Sequence, residues 1–172
     1  MSWQASVRAA EARRAALTWH LWIGGPIESG RECALTLEIA KPGLMPPAGA
    51  PLPGLLTPPR RITAIIDTGC TNSAIRYDLA AELGLPVIGR REVSTASSGS
   101  EPIDCATVAA DVVMTDPNGL QAHVFSELIV QDMEDDMLLG MDLLGGGVLT
   151  VDLVSGFWDW KYYVPPTKID SK

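Results

Sequence analysis

A mainly β domain with short helices is the fold class that the sequence predicts, and three observations predict it. Apolar and polar residues alternate cleanly through residues 33–39 (CALTLEI), the pattern of a strand with one buried face. Strand-like runs recur on either side of small polar turns at 97–102, 116–119 and 155–156. Helix-forming stretches within the domain are short and closed by glycine.

Taken in order, residues 4–16 are rich in good helix formers but carry little large apolar surface. They read equally as a docking appendage or a frayed terminus. Residues 17–23 (LTWHLWI) form a loosely alternating strand that the Gly24-Gly25-Pro26 run is expected to end. Strand 33–39 follows. The stretch 41–59 holds too many prolines for a ladder or a helix, so it is an enlarged extended loop before a strand at 62–67. A proline-recognising partner for it is only weakly signalled.

Residues 77–84 form a short helix closed by Gly84 and stopped by Pro86. Runs 91–96 and 103–114 make a hairpin around Ser97, Ser98, Gly99 and Ser100. A turn at 116–119 leads into a strand at 121–130. Residues 137–147 read as an apolar strand that runs into Gly140 and then a helical turn. Residues 148–153 and 157–164 close the chain as a hairpin, its aromatic cluster serving as core or as a subunit seam. The resulting division is an extension at 1–30, a domain at 31–166 with a proline-rich insertion at 41–60, and a tail at 167–172.

The 172 residues suit one domain with extensions, at 47% apolar and 20% charged residues. A net charge of −8 argues against nucleic acid or an anionic membrane as main partner. No stretch has the length of a membrane span and no secretory apolar region opens the chain, so a cytoplasmic protein is expected. Cys33, Cys70 and Cys105 are odd in number and lack metal-ligand spacing, and each reads first as a small buried hydrophobe. His20 and His123 suggest no metal pair; neither metal nor cofactor is expected.

The chemistry concentrates at 62–73 (ITAIIDTGCTNS). An Ile- and Thr-rich buried strand drives into Asp67, and Gly69 is expected to let the chain turn sharply there. A carboxylate at the rigid end of a core strand is costly unless hydrogen bonds or chemistry use it. The bland reading is an acid that caps its own turn. An Asp-Thr-Gly triplet alone is a weak signal. Its context is more specific: Ile65-Ile66 precede it, Leu138-Leu139-Gly140-Met141-Asp142 lies downstream, and a polar hairpin tip sits between.

With those motifs, residues 33–164 resemble the retropepsin-like aspartic proteases. The resemblance implies an acid-protease barrel with one lobe per chain. It makes Asp67 the catalytic acid, with Thr68 bonding its counterpart across a dimer and Gly69 offering backbone to substrate. Gly140 and Asp142 fall in the structural motif that packs behind the catalytic loop, with Asp142 implied to be a buried structural acid. The tip bearing Ser97, Ser98 and Gly99 looks like the flap, and Thr71 and Asn72 are candidates for substrate subsites. Because the chain carries a single Asp-Thr-Gly, the second carboxylate of such a site implies a homodimer acting on a peptide or protein.

Two positions depart from the retroviral pattern. Retroviral members commonly pair an Arg after the downstream Gly with an Asp two residues past the catalytic Gly. Met141 and Thr71 stand there, so that ion pair cannot form. The alternative reading is therefore a binding or assembly module that keeps the fold without turnover. A third reading, Cys70 as nucleophile, lacks any suitably spaced His or Asn.

Overall fold

The computed structural model describes residues 18–27, 32–43, 59–95 and 101–164. The expected helix at 4–16, most of the proline-rich loop and the hairpin tip with Ser97, Ser98 and Gly99 lie outside the described residues.

Among the described residues, ten strands and two short helices follow in chain order. They are β1 (Thr18–Pro26), β2 (Ala34–Ala40), β3 (Arg60–Ile66), β4 (Ala74–Arg76) and α1 (Tyr77–Glu82), then β5 (Val87–Val93), β6 (Ile103–Thr115) and β7 (Gln121–Gln131). The chain ends with β8 (Met137–Leu139), α2 (Met141–Leu144), β9 (Gly147–Asp152) and β10 (Phe157–Val164). The expectation of a mainly β fold with short helices holds.

Six strands close on themselves. The order β2-β3-β8-β4-β7-β6 returns to β2, because β6 pairs with both β7 and β2, and β5 hangs from the outer side of β6. Closure leaves no raw edge among those six strands. Pairing is antiparallel except that β8 runs parallel to β3 and β4 parallel to β7. Strand β8 therefore threads between β3 and β4, which brings the 138–142 motif beside the Asp67 loop.

The alternation read in β2 places Leu35, Leu37 and Ile39 inside, where they meet Ile62, Val112, Leu128, Met137 and Leu139. Burying each such side chain contributes roughly 1.5–3 kcal/mol before chain entropy is subtracted. Cys33 and Cys105 are buried as small hydrophobes. Helix α1 ends as its sequence suggests, with Gly84 in the left-handed region (φ 58°).

A separate three-stranded sheet, β1-β10-β9, packs its inner face on the barrel through Leu21, Ile23, Trp158 and Trp160, all in the core. The Trp160 indole N–H donates to the Leu144 carbonyl at 3.3 Å, so the C-terminal aromatics anchor α2. Trp158 and Trp160 are thus core, whereas Phe157 stays exposed.

Two boundaries differ from the sequence reading. Strand β1 continues through Gly24 and Gly25 to Pro26, because pairing with β10 down to Pro26↔Phe157 overrides the local stop signal. Strand β5 begins at Val87, four residues before the expected arm. It begins there because Val87 pairs with Val108 and the Ala109 amide donates to the Pro86 carbonyl. Among the described residues no helix is long and apolar enough to cross a membrane.

Candidate active site

Asp67 follows the last residue of β3. Its amide donates to the Leu139 carbonyl at 3.0 Å, which fixes the end of β3 to β8. Its carboxylate accepts from two sides: the Gly69 amide reaches Oδ1 at 2.8 Å and the Cys70 thiol reaches Oδ2 at 2.9 Å. The loop is tight because the Cys70 amide also donates back to the Asp67 carbonyl. Gly69 sits at the corner of the expected sharp turn, which the Cys70-to-Asp67 bond closes. Its φ is not left-handed, unlike Gly43, Gly84, Gly119 and Gly156 among the described residues. Space is tight instead, since a Cβ there would stand 3.1 Å from Asp67 Oδ1 and would press on that carboxylate.

The 138–142 segment interlocks with this loop. Met141 N–H donates to the Cys70 carbonyl at 2.9 Å, and Asp142 N–H to the Thr71 carbonyl at 3.1 Å. In return the Asp142 carboxylate accepts from the Ser73 amide (3.0 Å), the Ser73 hydroxyl (2.6 Å) and the Leu143 amide (2.8 Å). Ser73 Oγ accepts in turn from the Gly140 amide at 2.9 Å. At Gly140 the backbones approach so closely that a Cβ would lie 2.6 Å from the Asn72 carbonyl carbon. Asp142 is not the buried acid that the resemblance suggested. Its carboxylate is held from one side while the residue stays open on the other, at the start of an exposed helical turn.

Asp67 opens into a cleft of about 740 Å³. One wall is the Asp67 loop, with Gly69, Cys70, Thr71 and Asn72; the other is the hairpin arm, residues 91–95. Its floor is apolar: Ala74 and Ile129 form a small buried cluster with Cys105, packed by Val93 and Leu138. Thr68 is exposed on the loop. Thus Asp67, Gly69, Thr71 and Asn72 share one cleft, while Gly140 and Asp142 support it from behind.

Sequence reasoning read Cys70 first as a small buried hydrophobe and passed over two other groups. Cys70 is half-buried in the cleft rather than an inert core residue. Burial first, then the hydrogen bond to Asp67 and the charges of Asp67 and Asp142, push its pKa up to about 11. The thiol therefore stays protonated, and a nucleophilic role has no support. Ser73, fully buried, links the two motifs; a hydroxyl just before the buried Ala74-Ile75 pair was its signal. Arg91 and Glu92 enter the cleft only because β5 folds back beside the loop, which no local pattern encodes.

Residues 59–143 match the family model described as aspartyl protease. No curated protein sequence is significantly similar to the chain. Among solved structures, a retropepsin-like aspartic protease from Rickettsia conorii superposes with a TM-score of 0.53 at 17% identity, covering 83% of this chain and 92% of that one. The retroviral protease-like domain of Ddi1 from Leishmania major aligns at 18% identity with a TM-score of 0.39, covering 64% of this chain and 90% of that one. The matched segment spans the Asp67 loop and the 138–142 motif and the barrel is shared, so the chain is similar to the retropepsin-like aspartic proteases in both motif and fold.

Proposed function

We propose that this protein is an aspartic endopeptidase that works as a homodimer, with Asp67 of each copy at the two-fold axis. The observation that carries this reading is the Asp67 carboxylate, held by Gly69 and Cys70 and facing an open cleft of about 740 Å³. One such acid is half of a proton-sharing pair, and a second copy supplies the other half. Two nearby carboxylates cannot both ionise easily, so the pair holds one proton between them. The ionised Asp67 removes a proton from water, which attacks the peptide carbonyl. The protonated Asp67 donates to the carbonyl oxygen. Collapse of the tetrahedral adduct returns that proton to the second Asp67, while the first passes the proton it took from water to the leaving nitrogen, and the amine departs. No metal or organic cofactor takes part.

In this reading Thr68 steadies the two acids across the axis, and the Gly69 backbone meets substrate. Thr71 and Asn72 flank the bound chain, and the hairpin bearing Ser97, Ser98 and Gly99 closes over it as a flap. The free side of β5 offers backbone groups for pairing with an extended substrate. We place the protein in the cytoplasm.

The test compares wild type with Asp67→Asn on a peptide library at acidic and neutral pH, reading cleavage by mass spectrometry. Cleavage by wild type alone, with both proteins equally folded, is the expected result. Equal cleavage by both removes the reaction from Asp67. One observation favours a second reading, a non-catalytic binding module. Met141 and Thr71 occupy the positions of the retroviral ion pair, and both are exposed. A protein that binds peptides, stays monomeric and cleaves none would support that module.

A further inference from the structure

A second pocket, of about 260 Å³, adjoins the Asp67 cleft and shares Asn72, Arg91 and Ile129 with it. It lies past the end of the catalytic loop, so an extended chain crossing Asp67 can lay a side chain into it from the shared rim. Its walls come from β7 and α2. Phe125, Glu127 and Ile129 alternate onto the same side of β7, and Leu143 closes the pocket from the helical turn. The alternation also explains why Phe125 stays 66% exposed: Leu128, of opposite parity, fills the barrel instead.

The charge in this pocket is unbalanced. Glu127 and Asp142 each bring a carboxylate, whereas Arg91 is the one cation among its lining residues. Arg91 forms an ion pair with Glu127 at 3.5 Å, but both side chains are nearly half exposed, so the pair is loose and one carboxylate stays in excess over the cation. The Asp142 carboxylate at the wall accepts hydrogen bonds from neutral donors, Ser73 and the Leu143 amide. Phe125 and Leu143 offer apolar surface leading to those carboxylates. An aliphatic stem with a cationic tip fits that sequence of environments, the stem along Leu143 and the tip near Glu127 and the Phe125 ring.

We propose that this pocket is a specificity subsite that takes a lysine or arginine side chain of the bound peptide, with Glu127 as its selecting residue. The inference deepens the peptidase reading but does not need turnover, so binding tests it separately. The full-length Asp67→Asn protein is titrated with fluorescent extended peptides in which Lys, Ala or Glu is moved along the sequence, read by polarisation. At one position Lys should bind about fivefold more tightly than Ala, and Glu more weakly, the size expected of a partly exposed charge contact. Glu127→Gln should erase that preference and Glu127→Lys reverse it, with melting temperatures showing that both variants fold. Cleavage of the same peptides by the unsubstituted protein should show the same positional bias. Binding bias without any cleavage would sink the peptidase and keep the subsite. Three results would each overturn the subsite: cleavage or binding indifferent to Lys at every position, a preference for Glu, or no binding of any peptide.

Discussion

The Cys70 thiol donates to Oδ2 of Asp67 at 2.9 Å, so the acid of this cleft has a sulfur-borne proton resting on it. The relationship runs both ways. Asp67 keeps the thiol protonated, and the thiol occupies the carboxylate oxygen that the Gly69 amide leaves free.

Asp67→Asn should therefore make Cys70 more reactive. The carboxylate contributes two of the causes that raise the thiol pKa to about 11, but burial contributes most. The pKa should fall only part of the way to its ordinary value of 9.0. Alkylation by iodoacetamide, followed against pH by intact mass, should accelerate severalfold near pH 8–9 in the variant, since each unit of pKa changes the thiolate fraction about tenfold there. An unchanged rate profile would mean that the thiol does not rest on Asp67. Stability follows the same linkage. The unfolded chain releases this proton near pH 9.0 and the folded one near 11. The stability linked to Cys70 is fully present below the lower value and is lost as pH rises through the higher.

Gly140→Ala should be strongly destabilising. The added methyl would meet the Asn72 backbone at 2.6 Å, and backbone cannot rotate aside as a side chain can. Overpacking of this kind costs about 1–3 kcal/mol, a drop of several degrees in melting temperature for a chain of this size. Ser73→Ala probes the same junction from the other partner. It removes the hydroxyl between Asp142 Oδ1 and the Gly140 amide, leaving that buried donor without its acceptor at a cost of about 1–3 kcal/mol. Urea midpoints for both variants check this. A stable Gly140→Ala protein would show that the two loops sit farther apart.

Acid should unpick the start of α1. Arg76 donates to Asp78 at 2.5 Å and ion-pairs with Asp136 at 3.1 Å, tying β4, the helix and the turn before β8. The hydrogen bond from Arg76 is the main cause that holds the Asp78 carboxyl below its usual value of 3.8. A depressed carboxylate stabilises the fold above its unfolded pKa and loses that contribution as pH falls through its folded pKa. Asp78→Asn should thus lower the urea midpoint at pH 6 and match the unsubstituted protein near pH 2. A pH-independent gap between the two would point to lost helix capping instead.

How much of this was legible depends on the range of the interactions. Strand β2 and the Asp67 turn could be read locally, because alternation and an acid before Thr-Gly are properties of neighbouring residues. The pairing of β8 between β3 and β4 was accessible only through the resemblance, since nothing in residues 137–142 names its partners. Arg91 and Glu127 could not be found at all. They meet only after β5, β6 and β7 register side by side, and an exposed charge carries no mark of the residue it will face. Likewise Gly24-Gly25-Pro26 signalled a stop that a strand 130 residues later overrode: local propensity loses to a long-range ladder when the partner is well packed.

Mixing supplies the last prediction, because it asks whether one chain holds a whole site. If two Asp67 carboxylates share a proton, a heterodimer of unsubstituted and Asp67→Asn chains is inactive. With free exchange and equal amounts of the two, about a quarter of the dimers are fully unsubstituted, following random pairing in a two-fold assembly. Activity at constant total protein should then fall to about a quarter rather than a half, and follow the square of the active fraction across the series. Peptide cleavage measured after equilibration, with exchange verified by native mass spectrometry of isotope-labelled chains, reads this directly. A straight line through the series would mean that each chain works alone, and the shared-proton mechanism would fall with it.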